Sequence, residues 1–295
     1  MPMQANDAGL HSDIQRTGYE LQHKQDTRLK KVDLHHHDFY ELYFLMSGEA
    51  TCTIEGRLYR ITPGDILLIS PKELHKLRIF SELESYERYI LWVAPKTLRQ
   101  LSTKKTDLFQ YLDPARPEYR NQLHIAPEDQ PLLYGLITRL YQEQQSDDFG
   151  DDLIRESLLT EILVELSRIA EHQEQPQETP ALSSPVVSEA VAYIETHCRE
   201  SLSLEELAQR FYVSKYHLSH EFSRLMGTSV HRYILKKRLL IARQQLAQGK
   251  HPGEVWEQCG FGDYTGFYRA FEAEYGMSPR EYADAALPEA QPQAE

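Results

Sequence analysis

Residues 203–229, SLEELAQRFYVSKYHLSHEFSRLMGTS, and residues 252–278, PGEVWEQCGFGDYTGFYRAFEAEYGMS, decide how this chain reads. Set against each other at an offset of 49 residues, they pair Leu207 with Trp256, Tyr212 with Phe261, Leu218 with Phe267 and Phe222 with Phe271. The match continues through Gly227 with Gly276, Ser229 with Ser278 and Tyr233 with Tyr282. A repeat of this kind is resolved first because it sets the architecture. Each copy reads as helix, tight turn, helix and glycine stop. Ser203 caps a helix through Leu204, Leu207 and Ala208, with Glu206 as its capping-box partner. Ser214 caps a second helix whose apolar face is Leu218, Phe222 and Leu225, ending near Gly227. In the second copy Pro252 suits the first helical position and Gly260 supplies the turn. Asp263 caps the next helix, which buries Phe267 and Phe271. Paired helices joined by a tight turn are the helix-turn-helix pattern.

The faces left over by that pattern point to DNA. The first capped helix turns Lys215, Tyr216, Ser219, His220 and Ser223 to solvent, all side chains able to reach into a groove. The offset places His220 and Arg269 at equivalent positions, both cationic on protonation. Between the copies, Val230–Gln248 reads as one helix carrying Lys236, Lys237, Arg238 and Arg243. At ~1.5 Å per residue it spans roughly 28 Å, near the ~34 Å between successive major-groove faces on one side of B-DNA. The competing reading is two helical hairpins packed for structure alone, and these faces weigh against it. Net charge is −13 over 295 residues, yet residues 190–285 balance 12 basic against 12 acidic side chains, and residues 199–250 carry a local +6. A basic segment on an acidic chain suits a DNA-binding module joined to something else.

At these residues the chain resembles the AraC/XylS family of transcription regulators over 190–285. The resemblance rests on Leu204-Glu205-Glu206-Leu207-Ala208, Val213-Ser214, Leu218-Ser219, Phe222, Arg238 and Ala242. It continues in Gly260-Phe261-Gly262-Asp263, Phe267, Arg269-Ala270-Phe271, Gly276-Met277-Ser278-Pro279 and Tyr282. It implies seven helices, with two helix-turn-helix units bridged by a long helix. Its groove-facing positions fall on Tyr216, Ser219 and His220, and on Tyr264, Thr265, Tyr268 and Arg269. Where the family usually has basic residues after the second aromatic pair, this chain has Glu272, Ala273 and Glu274. Phosphate contacts are therefore expected from the first unit and the bridging helix, with Lys215, Lys236 and Lys237 among them.

The preceding sequence is of a different kind. Residues 17–94 alternate short apolar runs (YELYFLM, ATCTI, DILLIS) with the turn formers Ser47-Gly48-Glu49, Glu55-Gly56 and Pro63-Gly64-Asp65, which predicts a β-sandwich or small barrel. His35-His36-His37-Asp38-Phe39-Tyr40-Glu41, with Gly48 seven residues on, resembles the first cupin motif, and Pro63-Gly64-Asp65 with Pro71 and His75 resembles the second. Two departures stand out: the glycine before the first histidine and the asparagine closing the second motif are missing. In strand geometry His35, His37, Glu41, Tyr43 and Leu45 share one face, where His75 could join them. Three histidines and a glutamate make a plausible first-row metal set. They equally suit a sensor pocket for a small polar ligand, or plain structural pairing with Asp33, Asp38 or backbone. Arg88, Ile90 and Trp92 share a face of their own strand, inward or outward. The reading adopted is a ligand pocket of His35, His37, Glu41, Tyr43, His75, Arg88 and Trp92 that takes a polar metabolite, a sugar by its aromatic and polar lining, without cofactor or bound metal. A metal-dependent cupin enzyme carrying a DNA-binding tail is the alternative from another class.

Residues 131–172 switch to helical periodicity, and the stripe Leu159, Ile162, Leu163, Leu166 and Ile169 predicts a coiled-coil-like dimer seam, or a cover for the barrel. The family resemblance favours dimerisation here. EHQEQPQETPALSSP (171–185) reads as a linker. No apolar run approaches the ~20 residues of a membrane span. The polar N-terminus lacks a signal-peptide core, and Cys52, Cys198 and Cys259 are too few and scattered for a disulfide framework, which fits a cytoplasmic protein. The expectation is an α+β multidomain regulator: a cupin-like sensor barrel (1–130), a helical dimerisation segment (131–172), a linker (173–185), a tandem helix-turn-helix domain (186–285) and a disordered tail (286–295). Its expected partners are operator DNA, a sugar-like effector, a second copy of itself and RNA polymerase, in the role of an activator of carbohydrate-utilisation genes.

Overall fold

The computed structural model describes residues 12–26, 31–71, 73–79, 86–173 and 184–286. They fall into two compact units, one up to residue 173 and one from residue 184.

In the first unit a short helix α1 (Ser12–Thr17) precedes β1 (Tyr19–Asp26), β2 (Lys31–His35), β3 (Tyr40–Ser47), β4 (Ala50–Ile54) and β5 (Arg57–Ile61). After them come β6 (Asp65–Ile69), β7 (His75–Ile79), β8 (Tyr86–Val93), α2 (Pro95–Leu101), β9 (Gln122–His124), α3 (Gln130–Glu143) and α4 (Asp151–His172). The strands form two antiparallel sheets, ordered β1-β8-β3-β6-β9 and β2-β7-β4-β5. Side-chain alternation in β3 sends Glu41, Tyr43 and Leu45 toward the other sheet, where the latter two join Cys52, Ile54, Ile61, Leu67, Ile69, Ile90 and Trp92 in one core. Tyr40, Leu42 and Phe44 point the opposite way and pack under α3 and α4. With both faces covered, the first six residues of β3 are all buried.

That second core settles the helical stripe. Leu159, Ile162, Leu163 and Leu166 are buried against the outer face of the five-stranded sheet, beside Leu133, Ile137 and Leu140 of α3. The stripe covers the sheet and is not available as a dimer seam. The helical segment is thus part of the same compact unit as the strands, not a module apart. The end of α3 also shields an open sheet edge: the Leu21 N–H donates to Gln144 Oε1 at 3.0 Å, and Gln144 Nε2 donates to the Leu21 carbonyl at 3.0 Å. A side-chain amide there satisfies backbone groups that an edge strand leaves unpaired. Helices α1 and α2 and strand β9 were not anticipated.

The second unit consists of α5 (Pro185–His197), α6 (Leu204–Arg210), α7 (Lys215–Met226), α8 (Val230–Ala247), α9 (Pro252–Gln258), α10 (Tyr264–Tyr275) and α11 (Pro279–Ala286), the seven helices expected. Ser203 and Glu206 form a reciprocal capping box on α6, Ser214 caps α7 through the His217 N–H, and Asp263 caps α10 through the Gly266 N–H. The repeat itself needs one correction. Helices α7 and α10 begin at residues 215 and 264, as the offset of 49 requires, but α6 and α9 begin at 204 and 252. The turn of the second unit holds one extra residue, so Leu207 corresponds to Val255, both fully buried, and not to Trp256. Tyr212 likewise matches Gly260, not Phe261, and both have left-handed backbone, φ 54° and 83°. Of the linker, residues 174–183 lie outside the described residues, as do residues 287–295 of the expected tail; α4 runs through His172 and α5 starts at Pro185.

Candidate functional site

Helices α7 and α10 carry the side chains expected to face a groove, on the side away from their buried anchors. Leu218, Phe222 and Leu225 anchor α7, and Phe267 and Phe271 anchor α10. Lys215, Tyr216 and His220 are exposed on α7, with Ser219 half-buried; Tyr264, Thr265 and Arg269 are exposed on α10, with Tyr268 half-buried. Tyr216 stands 82% exposed, a large aromatic surface left to water in each copy's first turn, as Tyr264 also is at 40%. The Tyr216 and His220 rings lie nearly parallel one turn apart. Lys215 is ion-paired with Glu205 across the turn of its own unit. Such exposed pairs are weak and exchange readily for a phosphate. Arg269→Ala should cost roughly 1–3 kcal/mol of specific DNA affinity through loss of a base contact. A wild-type titration curve for that variant would remove Arg269 from the reading surface.

Lys236 and Lys237 behave differently from expectation. Lys236 pairs with Glu274, and Lys237 Nζ lies 3.2 Å from Glu195 Oε1; both lysine side chains are only 13% exposed. Their neighbour Arg238 is consumed structurally, donating from Nε to the Cys198 carbonyl at 2.6 Å and from Nη2 to the Glu200 carbonyl at 2.7 Å. These lysines hold α8 to α5 and α10 and do not stand ready for phosphate. Replacing both with alanine should therefore barely change the salt slope of DNA binding, where loss of two phosphate contacts would remove roughly 1.8 from it. A slope reduced by that amount would restore the phosphate role.

In the first unit, His35, His37, Glu41, His75 and Trp92 come together at one end of the space between the sheets. His35 and His75 are register partners in β2 and β7, with ring centroids 4.1 Å apart. Glu41 of β3 is the register partner of Trp92 in β8. His37 lies in the connection between β2 and β3, not on a strand with His35, and its ring sits 4.9 Å from that of His75. Glu41 Oε2 accepts from Trp92 Nε1 at 2.8 Å and lies 3.0 Å from His37 Nε2. Each of the three histidines donates Nδ1–H to a backbone carbonyl: His35 to Asp33, His37 to Phe39 and His75 to Glu73, at 2.8–2.9 Å. Burial alone would raise the Glu41 carboxyl, but the hydrogen bond and charge of His37 outweigh it and hold it well below the usual carboxylate range. Burial, helped by His35 and His37, keeps His75 well below the usual histidine value, so its ring is neutral.

Tyr43 and Arg88 face the same interior but belong to a neighbouring group. Arg88 Nη1 donates to Asp26 Oδ2 at 2.6 Å with both side chains nearly buried, and its guanidinium lies 5.0 Å from the Tyr86 ring centroid. The Tyr43 and Tyr86 hydroxyls are hydrogen-bonded to each other. Lys24 Nζ lies 5.8 Å from the Trp92 ring centroid, and burial lowers its pKa. Asp26, Lys24 and Tyr86 were missed in the sequence. The signal for them is the polar run His23–Asp26 at the end of β1, which only the antiparallel register places opposite Tyr86–Tyr89.

A family model for an AraC-like ligand binding domain matches residues 18–163, and one for a helix-turn-helix domain matches residues 207–285. The HTH-type transcriptional activator RhaS of Escherichia fergusonii is 28% identical over 249 residues, covering 84% of this chain and 86% of that protein. RhaS of Yersinia pestis is 26% identical over 250 residues, covering 84% and 87%. Among solved structures, fatty-acid-bound ToxT from Vibrio cholerae aligns over 90% of this chain and 94% of its own, at 13% identity and a TM-score of 0.39.

Proposed function

Because this chain belongs to the AraC family of transcription regulators, we propose that it is an activator whose N-terminal unit senses a small polar metabolite and whose C-terminal unit reads the operator. The observation that carries the DNA half is the pair of capped helices α7 and α10, presenting exposed polar, aromatic and basic side chains at matched positions. For the effector, the support is the convergence of a carboxylate, an indole N–H, a buried arginine and three imidazoles on one interior, beside aromatic rings that suit the apolar face of a sugar. The matches to a ligand binding domain and to a helix-turn-helix domain favour a regulator over a metal-dependent enzyme with a DNA-binding tail.

The same reading takes a homodimer and RNA polymerase as partners. With the α4 stripe spent on the sheet, dimerisation through this segment would use the outward residues Leu132 and Leu153, which are 51% and 68% exposed. Among the described residues no helix is long and apolar enough to cross a membrane, and the reading places the protein in the cytoplasm with its DNA. Selection from random duplexes should return one sequence class bound by the full chain, and a panel of sugars and sugar acids should contain a compound that shifts that binding. Glu41→Gln should blunt the response to the compound while leaving binding without it intact. A chain that selects no sequence would sink the operator reading; a Glu41→Gln variant with an unaltered response would move the pocket elsewhere.

A further inference from the structure

The two acids that stand where basic residues were expected after the second aromatic pair have different fates. Glu274 pairs with Lys236 of α8 and is held there. Glu272 is exposed, and among the described residues its carboxylate meets no hydrogen-bond donor and no cation. Arg269 lies three residues before it, within ion-pair reach on a helix, yet the two side chains make no pair. The Glu272 carbonyl accepts from the Gly276 N–H at 2.8 Å in the last turn of α10. The carboxylate therefore sits at the negative end of the helix dipole, where an anion is unfavourable. Within its own unit this charge stabilises nothing. Its direction is set by the buried anchors Phe267 and Phe271. Thr265, Tyr268, Arg269 and Glu272 follow one another at i, i+3, i+4 and i+7, a single stripe away from those anchors. Helix α7 presents Tyr216, Ser219, His220 and Ser223 in the same stripe. Where α10 has Glu272, α7 has a small neutral serine, and its own acid Glu221 is turned aside to Arg224 at 2.8 Å.

We infer that Glu272 is a specificity-determining residue of the second helix-turn-helix unit and takes a cytosine of the operator. The inference rests on the reading of α10 as a groove-facing helix. A carboxylate only accepts hydrogen bonds. Phosphate, guanine and thymine offer it no donor in the major groove; cytosine N4 and adenine N6 alone do. Adenine sets its N7 acceptor beside that donor, whereas the amine is the only polar group cytosine shows there. Cytosine is thus the edge that repels this side chain least. On any duplex lacking it, Glu272 faces phosphates of like charge and gains nothing in return. Specificity then comes from a penalty on wrong sequences as much as from a contact with the right one. Arg269, suited to guanine, lies ~4.5 Å along the helix axis from Glu272, against ~3.4 Å per base pair. The guanine and the cytosine should therefore fall within about two base pairs of each other. The α7 stripe holds no acid, so the constraint belongs to the half of the operator read by α10.

The test is selection from a random duplex pool by the full-length chain, then competition with single-base variants of the selected duplex. The wild-type chain should demand one cytosine, and replacing it should weaken binding about 5- to 150-fold. Arg269→Ala should release a guanine within about two base pairs of that cytosine. Glu272→Gln should cut the cytosine preference to about threefold or less, or move it to adenine, which a carboxamide holds at N6 and N7. Glu272→Ala should bind cytosine and thymine alike at that position. In both variants the preferences read by α7 should stay as they are, which also shows that the unit is folded. Suppose instead that both variants bind every sequence more tightly by one common factor and keep the wild-type preferences. Glu272 then only repels phosphate, and the inference fails. A selected site without the cytosine, or with it farther from the Arg269 guanine, overturns it too, while leaving the operator reading in place. A chain that selects no sequence overturns the operator reading and takes this assignment with it.

Discussion

Gly260→Ala should cost the DNA-binding unit about 3 kcal/mol or more and leave the sensor unit's melting transition where it is. The residue sits at φ 83°, where an L side chain is strained, and a Cβ there would lie 2.4 Å from the Arg199 carbonyl oxygen and 2.7 Å from its carbon. Strain in the left-handed region contributes about 1–3 kcal/mol, and a forced overlap in a packed site about as much again. The clash would be mild if Arg199 could retreat. It cannot do so cheaply, because Arg238 grips the carbonyls on either side of it, at Cys198 and Glu200. Against a total stability of ~5–15 kcal/mol, such a loss would noticeably weaken operator binding at physiological temperature. The first helix-turn-helix unit supplies the control. Tyr212 holds the corresponding left-handed position but is 96% exposed, so its side chain meets nothing. Tyr212→Gly should change stability by less than about 1 kcal/mol. Calorimetry on the two variants checks the contrast, and a Gly260→Ala loss no larger than the gain from Tyr212→Gly would show that backbone strain alone, not the Arg199 contact, sets the cost.

That contrast also shows what the sequence could and could not convey. Caps at Ser203, Ser214 and Asp263 were legible because capping is chemistry between residues three apart. The extra residue in the second turn was not, since a fixed offset matched enough aromatics to hide a slip of one position in α9. The fate of the α4 stripe was not legible either: a helix covering a sheet and a helix covering a partner show the same apolar period. Charge misled for a related reason. Lys236 and Lys237 look like free cations on a basic helix until Glu274 and Glu195, 38 and 42 residues away in sequence, are folded against them. In the sensor unit, the inward face of β8 could not be chosen because β8 is buried on both faces, and only its register with β3 shows that Trp92 meets Glu41.

Glu41 is where Trp92 and His37 depend on one polar atom, and Glu41→Ala should be the most damaging of the changes at this cluster. Its Oε2 accepts from Trp92 and meets His37, both nearly buried. Removing the carboxylate takes from the Trp92 N–H and from His37 Nε2 the oxygen they share, in an interior that water does not reach freely. Breaking a buried charged pair from one side typically costs about 3–5 kcal/mol, because the partner stays buried and uncompensated. Glu41→Gln should fall between: its carbonyl oxygen can still accept from Trp92, and it gives up only the charge toward His37. Trp92→Phe should cost less again, since it removes a donor and leaves the carboxylate its His37 contact. Denaturant melts of the three variants order the contributions. Should Glu41→Ala prove no worse than Glu41→Gln, the vacated space admits water, and the cluster is more open than its burial indicates. Should Glu41→Ala be the more stable of the two, the carboxylate is held at a net cost to the fold, as expected of a group kept for what it binds rather than for what it stabilises.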